Sequence, residues 1–164
     1  MPRTWGFVRT SHVAAPPDAV WRRMVSPDGI NDEMWPWLTM SAPRGAGDLT
    51  IDGLPLGVPV GRAWLRLGGV VPFEYDDLVI TELEPGRRFR EESTMATMRR
   101  WGHERTVTAG AGGGATVTDR VDFAPRVAPA WIAPLLRPVL AAFFAHRHRR
   151  LVRHFAGPPS RGRG

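Results

Sequence analysis

The C-terminal stretch Pro138 to Phe155, PVLAAFFAHRHRRLVRHF, constrains the fold more than any other part of the chain. Leu140, Phe143, Phe144, Leu151 and Phe155 recur at the spacing of one helical face, and Ile132, Leu136 and Val139 carry the same stripe upstream. Pro138 suits a first helical turn, and Gly157-Pro158-Pro159 stops the helix. At about 1.5 Å per residue such a helix spans roughly 27 Å. A helix this apolar on one side needs a broad surface to lie on, and the rest of the chain must supply it.

Arg147 falls inside the apolar face, between Phe143, Phe144 and Leu151. Either its stem is buried and its head reaches water, or it enters the interior and meets a carboxylate. His146, Arg149 and Arg153 point away from the stripe. His146, His148 and His154 form no i, i+4 pair and read as a solvated basic face, so no metal site is expected.

Upstream, Arg3 to Val13 alternates as a strand. Pro17 to Val25 reads as a helix with Val20, Trp21 and Met24 on one face, and Ile30 to Trp35 as a second short helix. β-rich segments follow: Leu49–Ile51, Gly61–Leu67, Asp77–Leu83, Arg88–Thr94, and a hairpin of Met98–Ala109 with Ala115–Phe123 across Gly110–Gly114. Pro134 should separate a short turn around Trp131 from the last helix. This order predicts an α+β domain over residues 1–156: an antiparallel sheet covered by the C-terminal helix, with two short helices after the first strand. Residues 157–164 read as a flexible tail.

The segments HVAAPPDAVWRRMVSPDGI, VITELEPGRRF, GGGATVTDRV and RHRRLVRHF resemble the START-related helix-grip superfamily, also called SRPBCC or polyketide cyclase/dehydrase-like. The last two are familiar from its bacterial members. That resemblance implies a seven-stranded antiparallel sheet gripping a long C-terminal helix, with an apolar ligand cavity between them. It does not imply one activity, because members carry lipids, sterols and hormones or cyclise polyketides.

Strand parity picks out residues that could carry chemistry. Asp119 shares a face with Val117, Val121 and Phe123. If Val107 faces Val117 across the hairpin, Arg105 faces Asp119 and His103 faces Val121. Glu91 shares parity with Phe89, and Arg147 approaches from the covering helix. The set Glu91, His103, Arg105, Asp119 and Arg147 is either a polar anchor within an apolar cavity or a buried ion-pair network that docks the helix. Asp119 is expected to pair with Arg105, with Arg147 near enough to share it. Trp35 and Trp37, flanking Pro36, either cover the cavity mouth as a lid or plug the end of the sheet.

The remaining composition mostly excludes. There is no Cys among 164 residues, hence no disulfide and no Cys-based metal site. All 22 basic residues are Arg, and the formal charge is +6. With 18 Gly and 16 Pro this fits GC-rich coding, so no specific nucleic-acid partner is expected; a weak contact with anionic surfaces is the most the charge supports. Gly110–Gly114 joins two strands and is no P-loop, and no GxSxG elbow occurs. No secretory signal and no membrane-spanning run is read, no cofactor is expected, and the expected location is cytoplasmic.

Three functions follow as expectations. The first is binding of a small apolar or aromatic molecule, lipid- or polyketide-like, under the C-terminal helix. The second is a polyketide cyclase/aromatase-type enzyme using His103, Arg105 or Arg147. The third is a non-catalytic interaction module with a basic helix end. An interior without a cavity of at least roughly 300 Å³ would leave only the third.

Overall fold

The computed structural model describes residues 4–44, 46, 49–126 and 132–157. The chain runs β1 (Trp5–Val13), α1 (Pro17–Met24), α2 (Pro27–Met34), β2 (Leu38–Met40), β3 (Arg62–Leu67), β4 (Val71–Asp77), β5 (Ile80–Glu84), β6 (Arg88–Met95), β7 (Met98–Ala109), β8 (Ala115–Pro125) and α3 (Ala133–Phe155). The sheet order is β1-β8-β7-β6-β4-β3-β2, with β5 also pairing β6, and every ladder is antiparallel. Asp77 faces Thr94 and Ile80 faces Glu91, so β5 continues the line of β4 in one register. The sheet therefore has seven lanes, curled around α3.

The β7–β8 hairpin has the expected register, with Val107 opposite Val117, Arg105 opposite Asp119 and His103 opposite Val121. Its turn holds Gly112 and Gly113 at φ of 68° and 81°, where a side chain would be strained. Other elements differ from the sequence reading for local reasons. Leu49–Ile51 is not a strand; Asp52-Gly53 and Pro55 turn the chain, leaving a 3-10 turn at Ile51–Gly53. β4 goes unread because Pro72 lies in it. Proline is tolerated there because it sits beside the register shift of the β3–β4 pair, where ladder bonding is already broken. β2 is too short to signal itself. α2 starts at Pro27, three residues early, because the Ser26 hydroxyl caps it by accepting from the Gly29 N–H at 3.1 Å. Glycine is required at position 29, since a Cβ there would lie 1.8 Å from the Arg23 carbonyl oxygen.

α3 starts at Ala133, not Pro138. Pro134 takes the first turn, where its missing N–H costs nothing, and Pro138 lies inside the helix; both face solvent. Trp131 of the expected separate turn and residues 158–164 of the expected tail lie outside the described residues. Among the described residues no helix is long and apolar enough to cross a membrane.

Two of the three apolar clusters among the described residues pack against α3. One joins Val20, Trp21 and Met24 of α1 to Phe89, Val107, Val117 and Leu151. The other joins Phe7, Met34, Leu65, Trp101, Phe123 and Phe144. Phe144 and Leu151 of the α3 stripe are 1% exposed, as expected. The upstream part of the stripe is not packed in the same way, and Val139 is 64% exposed. There α3 roofs a cavity instead of filling it.

Candidate functional site

The cavity holds about 460 Å³ and lies between α3, α2 and the sheet. Leu136, Leu140, Phe143 and Phe144 form its roof; Met34, Leu65, Phe89 and Trp101 are among its other apolar walls. The interior therefore exceeds the roughly 300 Å³ lower bound for ligand pockets. One part of the wall is polar, made by Asp76, Glu91, His103 and Arg147. Glu74 also reaches the wall, but its oxygens are taken by the backbone N–H groups of Tyr75, Ala96 and Thr97 and by the Thr97 hydroxyl.

Behind the polar wall lies a sealed network. Asp119 and Arg105 are 0% exposed. Arg105 grips Asp119 with two bonds, Nε to Oδ1 at 2.7 Å and Nη2 to Oδ2 at 3.0 Å. Its third nitrogen, Nη1, donates to both oxygens of Glu33 at 2.9 and 2.8 Å. Glu33 also receives Arg147 Nη2 at 3.1 Å. His103 Nε2 and His148 Nε2 complete Asp119, at 3.0 and 2.9 Å. Three parts of the chain are thus tied at one point: α2 through Glu33, the β7–β8 hairpin through Arg105 and Asp119, and α3 through Arg147 and His148.

His103 links the sealed network to the cavity. Its Nδ1 lies 3.8 Å from Glu91 Oε2, and its ring sits edge-on between Phe89 and Phe144, with centroids 5.5 and 5.2 Å away. Glu91 and Asp76 lie close enough for each to shift the other's titration. Asp76 Oδ1 and Glu91 Oε1 are buried and have no hydrogen-bond partner among the described residues. Two bare carboxylates close together away from water repel, which favours a proton on one of them.

Titration follows from these contacts. Burial and the neighbouring Glu91 charge push Asp76 well above the usual carboxylate range. Burial would raise Glu91 too, but His103 and the neighbouring Asp76 outweigh it and hold Glu91 low. Burial alone would likewise raise Asp119, yet Arg105 and the imidazoles hold it well below its ordinary value. His103 loses basicity by burial and regains more from Asp119 and Glu91, ending above its ordinary 6.5. Arg105 stays above its ordinary value against burial, through Asp119 and Glu33. Burial holds Arg147 below its own.

These directions set a pH dependence of stability. The low Asp119 and Glu91 contribute stability that is complete above ordinary carboxylate pKa values and is lost as pH falls through their folded values. The raised His103 contributes stability that is complete below 6.5 and is lost as pH rises through its higher folded value. The raised Asp76 acts in the same sense as His103. Denaturant midpoints should therefore decline on the alkaline side as well as in acid, and His103→Asn should flatten the alkaline decline. An unchanged alkaline limb in that variant would refute the assignment.

Glu91, His103, Arg105, Asp119 and Arg147, the five interior residues read from parity, do converge. Three corrections apply. Arg105 and Asp119 are sealed behind the cavity wall and do not line it. Arg147 pairs with Glu33, not with Asp119, because Arg105 and two imidazoles already fill the Asp119 oxygens. Trp35 is no lid: it is 47% exposed, off the cavity wall, packed near Gly69, with its carbonyl oxygen 2.8 Å from His146 Nε2. Trp37 does line the cavity, at its rim, edge-on to His146.

Sequence reading missed Glu33, Asp76 and His148. Glu33 stands three residues after Ile30, close to its face, a weak signal in so short a helix. Asp76 lies on the unread β4; Glu74 and Asp76 there, and Leu78 and Ile80 just beyond it, share parity and are all buried. The sequence groups His148 with a solvated basic face, yet it is 1% exposed; adjacent to Arg147, it turns toward Asp119 as Arg147 turns toward Glu33.

Comparison with known proteins identifies the fold. The aromatase/cyclase ZhuI from Streptomyces sp. R1128 superposes with a TM-score of 0.69 at 16% identity, covering 93% of each chain. Protein CV1439 from Chromobacterium violaceum gives 0.67 at 16% identity, over 94% of this chain and 98% of that one. A START superfamily protein from Mycobacterium smegmatis gives 0.65 at 10% identity, over 92% and 96%. The fold is therefore the START-type helix grip implied by the sequence resemblance. No curated protein matches. The chain belongs to the family described as a domain of unknown function, DUF8410, whose model matches residues 11–155.

Proposed function

We propose that this member of the DUF8410 family binds a small apolar or aromatic molecule, lipid- or polyketide-like, in the cavity beneath α3, in the cytoplasm. The observation that carries this reading is the cavity itself: about 460 Å³ of space with mostly apolar walls and a polar part that includes Asp76, Glu91, His103 and Arg147, where the apolar stripe of α3 would otherwise have packed. Open apolar volume of this size forfeits dispersion contacts and is disfavoured unless something fills it. Native mass spectrometry of the protein purified from its own host should show a one-to-one adduct with a small molecule. Protein that carries no adduct and also fails to bind any apolar probe would overturn the reading.

A second reading, an enzyme acting on that molecule, draws on His103, Glu91 and Asp76. They place a proton donor and a proton acceptor together on the cavity wall, with pKa values pushed apart. The aromatase/cyclase likeness points the same way, at the level of fold only. Adducts from the wild type and from His103→Asn separate the two readings. The same mass in both favours carriage; a different mass favours turnover. The set Glu91, His103 and Arg147, with Trp37 at the rim, would contact the ligand, while Arg105, Asp119 and Glu33 would position that set.

A further inference from the structure

The apolar lining of the cavity does not end at its mouth. Trp37, Phe73 and Val139 line the cavity and are exposed to solvent at the same time. Beyond Phe73, the β3–β4 hairpin carries Leu67, Val70 and Val71, all exposed, with Val70 at 77%. We propose that this rim and the hairpin tip form a docking surface for an anionic lipid bilayer, which sets the mouth of the cavity against the lipid.

Local contacts make the patch continuous. The Gly68 N–H donates to the Trp37 carbonyl oxygen at 2.9 Å, and Leu67 pairs with Leu38 on one side and Val71 on the other. A Cβ on Gly69 would lie 3.5 Å from the Trp35 ring, so a second exposed indole stands against the hairpin tip. The register shift between Leu65 and Arg66 leaves Phe73 without a partner on β3, and this extra residue is the one that reaches the cavity rim.

A contiguous exposed patch of large apolar side chains marks an interaction surface. The charge of the elements that carry it favours one partner. Residues 35–44, residues 62–73 and the whole of α3 contain no Asp or Glu, while they supply Arg44, Arg66 and Arg137, none of them buried. Glu74, next to Phe73, is buried and already accepts from backbone and hydroxyl donors. A second copy of the chain would set these cations face to face, which opposes association. A bilayer matches each feature: anionic headgroups attract the arginines, the indoles of Trp35 and Trp37 suit the headgroup level, and the valines of the tip reach the acyl boundary. An apolar molecule then passes between lipid and cavity without crossing water. The docking surface stands independently of what the cavity binds.

The test is co-sedimentation with sucrose-loaded vesicles of phosphatidylcholine, with and without phosphatidylglycerol. The wild type should bind the mixed vesicles at least about tenfold more tightly than the neutral ones. Val70→Asp/Val71→Asp, at two positions that do not line the cavity, should weaken binding to the mixed vesicles at least about tenfold. Val8→Asp/Thr10→Asp changes the net charge equally, at exposed positions on β1, the opposite edge of the sheet, and should keep binding within about threefold of the wild type. Mixed vesicles brominated on their acyl chains should also quench the tryptophan emission of the wild type, a readout that needs no variant and decides the matter if the hairpin variant does not fold. Absence of binding to the mixed vesicles, full binding by the hairpin variant, equal losses in the two variants, or binding without quenching would each overturn the proposal. No cavity ligand enters these assays, so such a result leaves the ligand-binding reading in place.

Discussion

Asp119→Ala should destabilise the protein by about 3–5 kcal/mol, as expected when one partner of a buried ion pair is removed. Asp119 accepts from Arg105 twice, from His103 and from His148, and no water reaches it. Its loss leaves Arg105 with Glu33 alone, which Arg147 already shares, and deprives two buried imidazoles of their acceptor. Arg62–Asp77, a pair with side chains 54% and 37% exposed, supplies an internal comparison: Asp77→Ala should cost no more than about 1 kcal/mol. Denaturant melts of Asp119→Ala, Arg105→Ala and the double variant give the coupling. Small, additive effects would contradict the network described above.

A chain ending at residue 132, without α3, should show no cooperative thermal transition. Removing the helix takes Phe144 and Leu151 from both apolar clusters and uncovers Phe7, Trp101 and Phe123 on the concave face. It also takes Arg147 from Glu33, His148 from Asp119 and Arg150 from Asp32, which α2 presents at 2.7 Å. Apolar exposure at about 25 cal/mol per Å² adds to the loss of these ion pairs. With net stabilities of about 5–15 kcal/mol, a domain of this size has no margin for both losses. A sharp transition in the truncated chain would show that the sheet folds without its helix.

How far the sequence reveals this protein depends on how each residue signals its neighbours. The β7–β8 hairpin was legible to the residue, because two long alternating strands leave one register and Asp119 had a side by parity alone. α3 was legible in type and face, though not in its start, since a proline is acceptable in a first turn and two prolines competed for that position. β4 was not legible, because Pro72 argues against a strand and nothing local reports the register shift that accommodates it. The site divides in the same way. Glu91, His103, Arg105, Asp119 and Arg147 lie on long elements whose periodicity gives direction. Glu33 and Asp76 lie on an eight-residue helix and an unread strand, where direction is weakly specified. His148 shows a further limit: a helical wheel could not foresee that two adjacent residues, Arg147 and His148, would both turn inward to different carboxylates. Whether a parity-matched polar residue touches the cavity or is sealed behind it depends on depth. Arg105 and His103 have the same parity and differ only in that.

The most direct measurement is a fluorescence titration of wild type and Leu140→Trp with N-phenyl-1-naphthylamine. Leu140 lines the cavity from the partly exposed roof, so the added indole fills space without crossing the sealed network. The wild type should bind saturably at one site, and Leu140→Trp should bind at least about tenfold more weakly, as expected when a pocket loses its volume, while its thermal midpoint is maintained. Absence of saturable binding to the wild type, or equal affinity in the two proteins, would contradict a ligand cavity beneath α3.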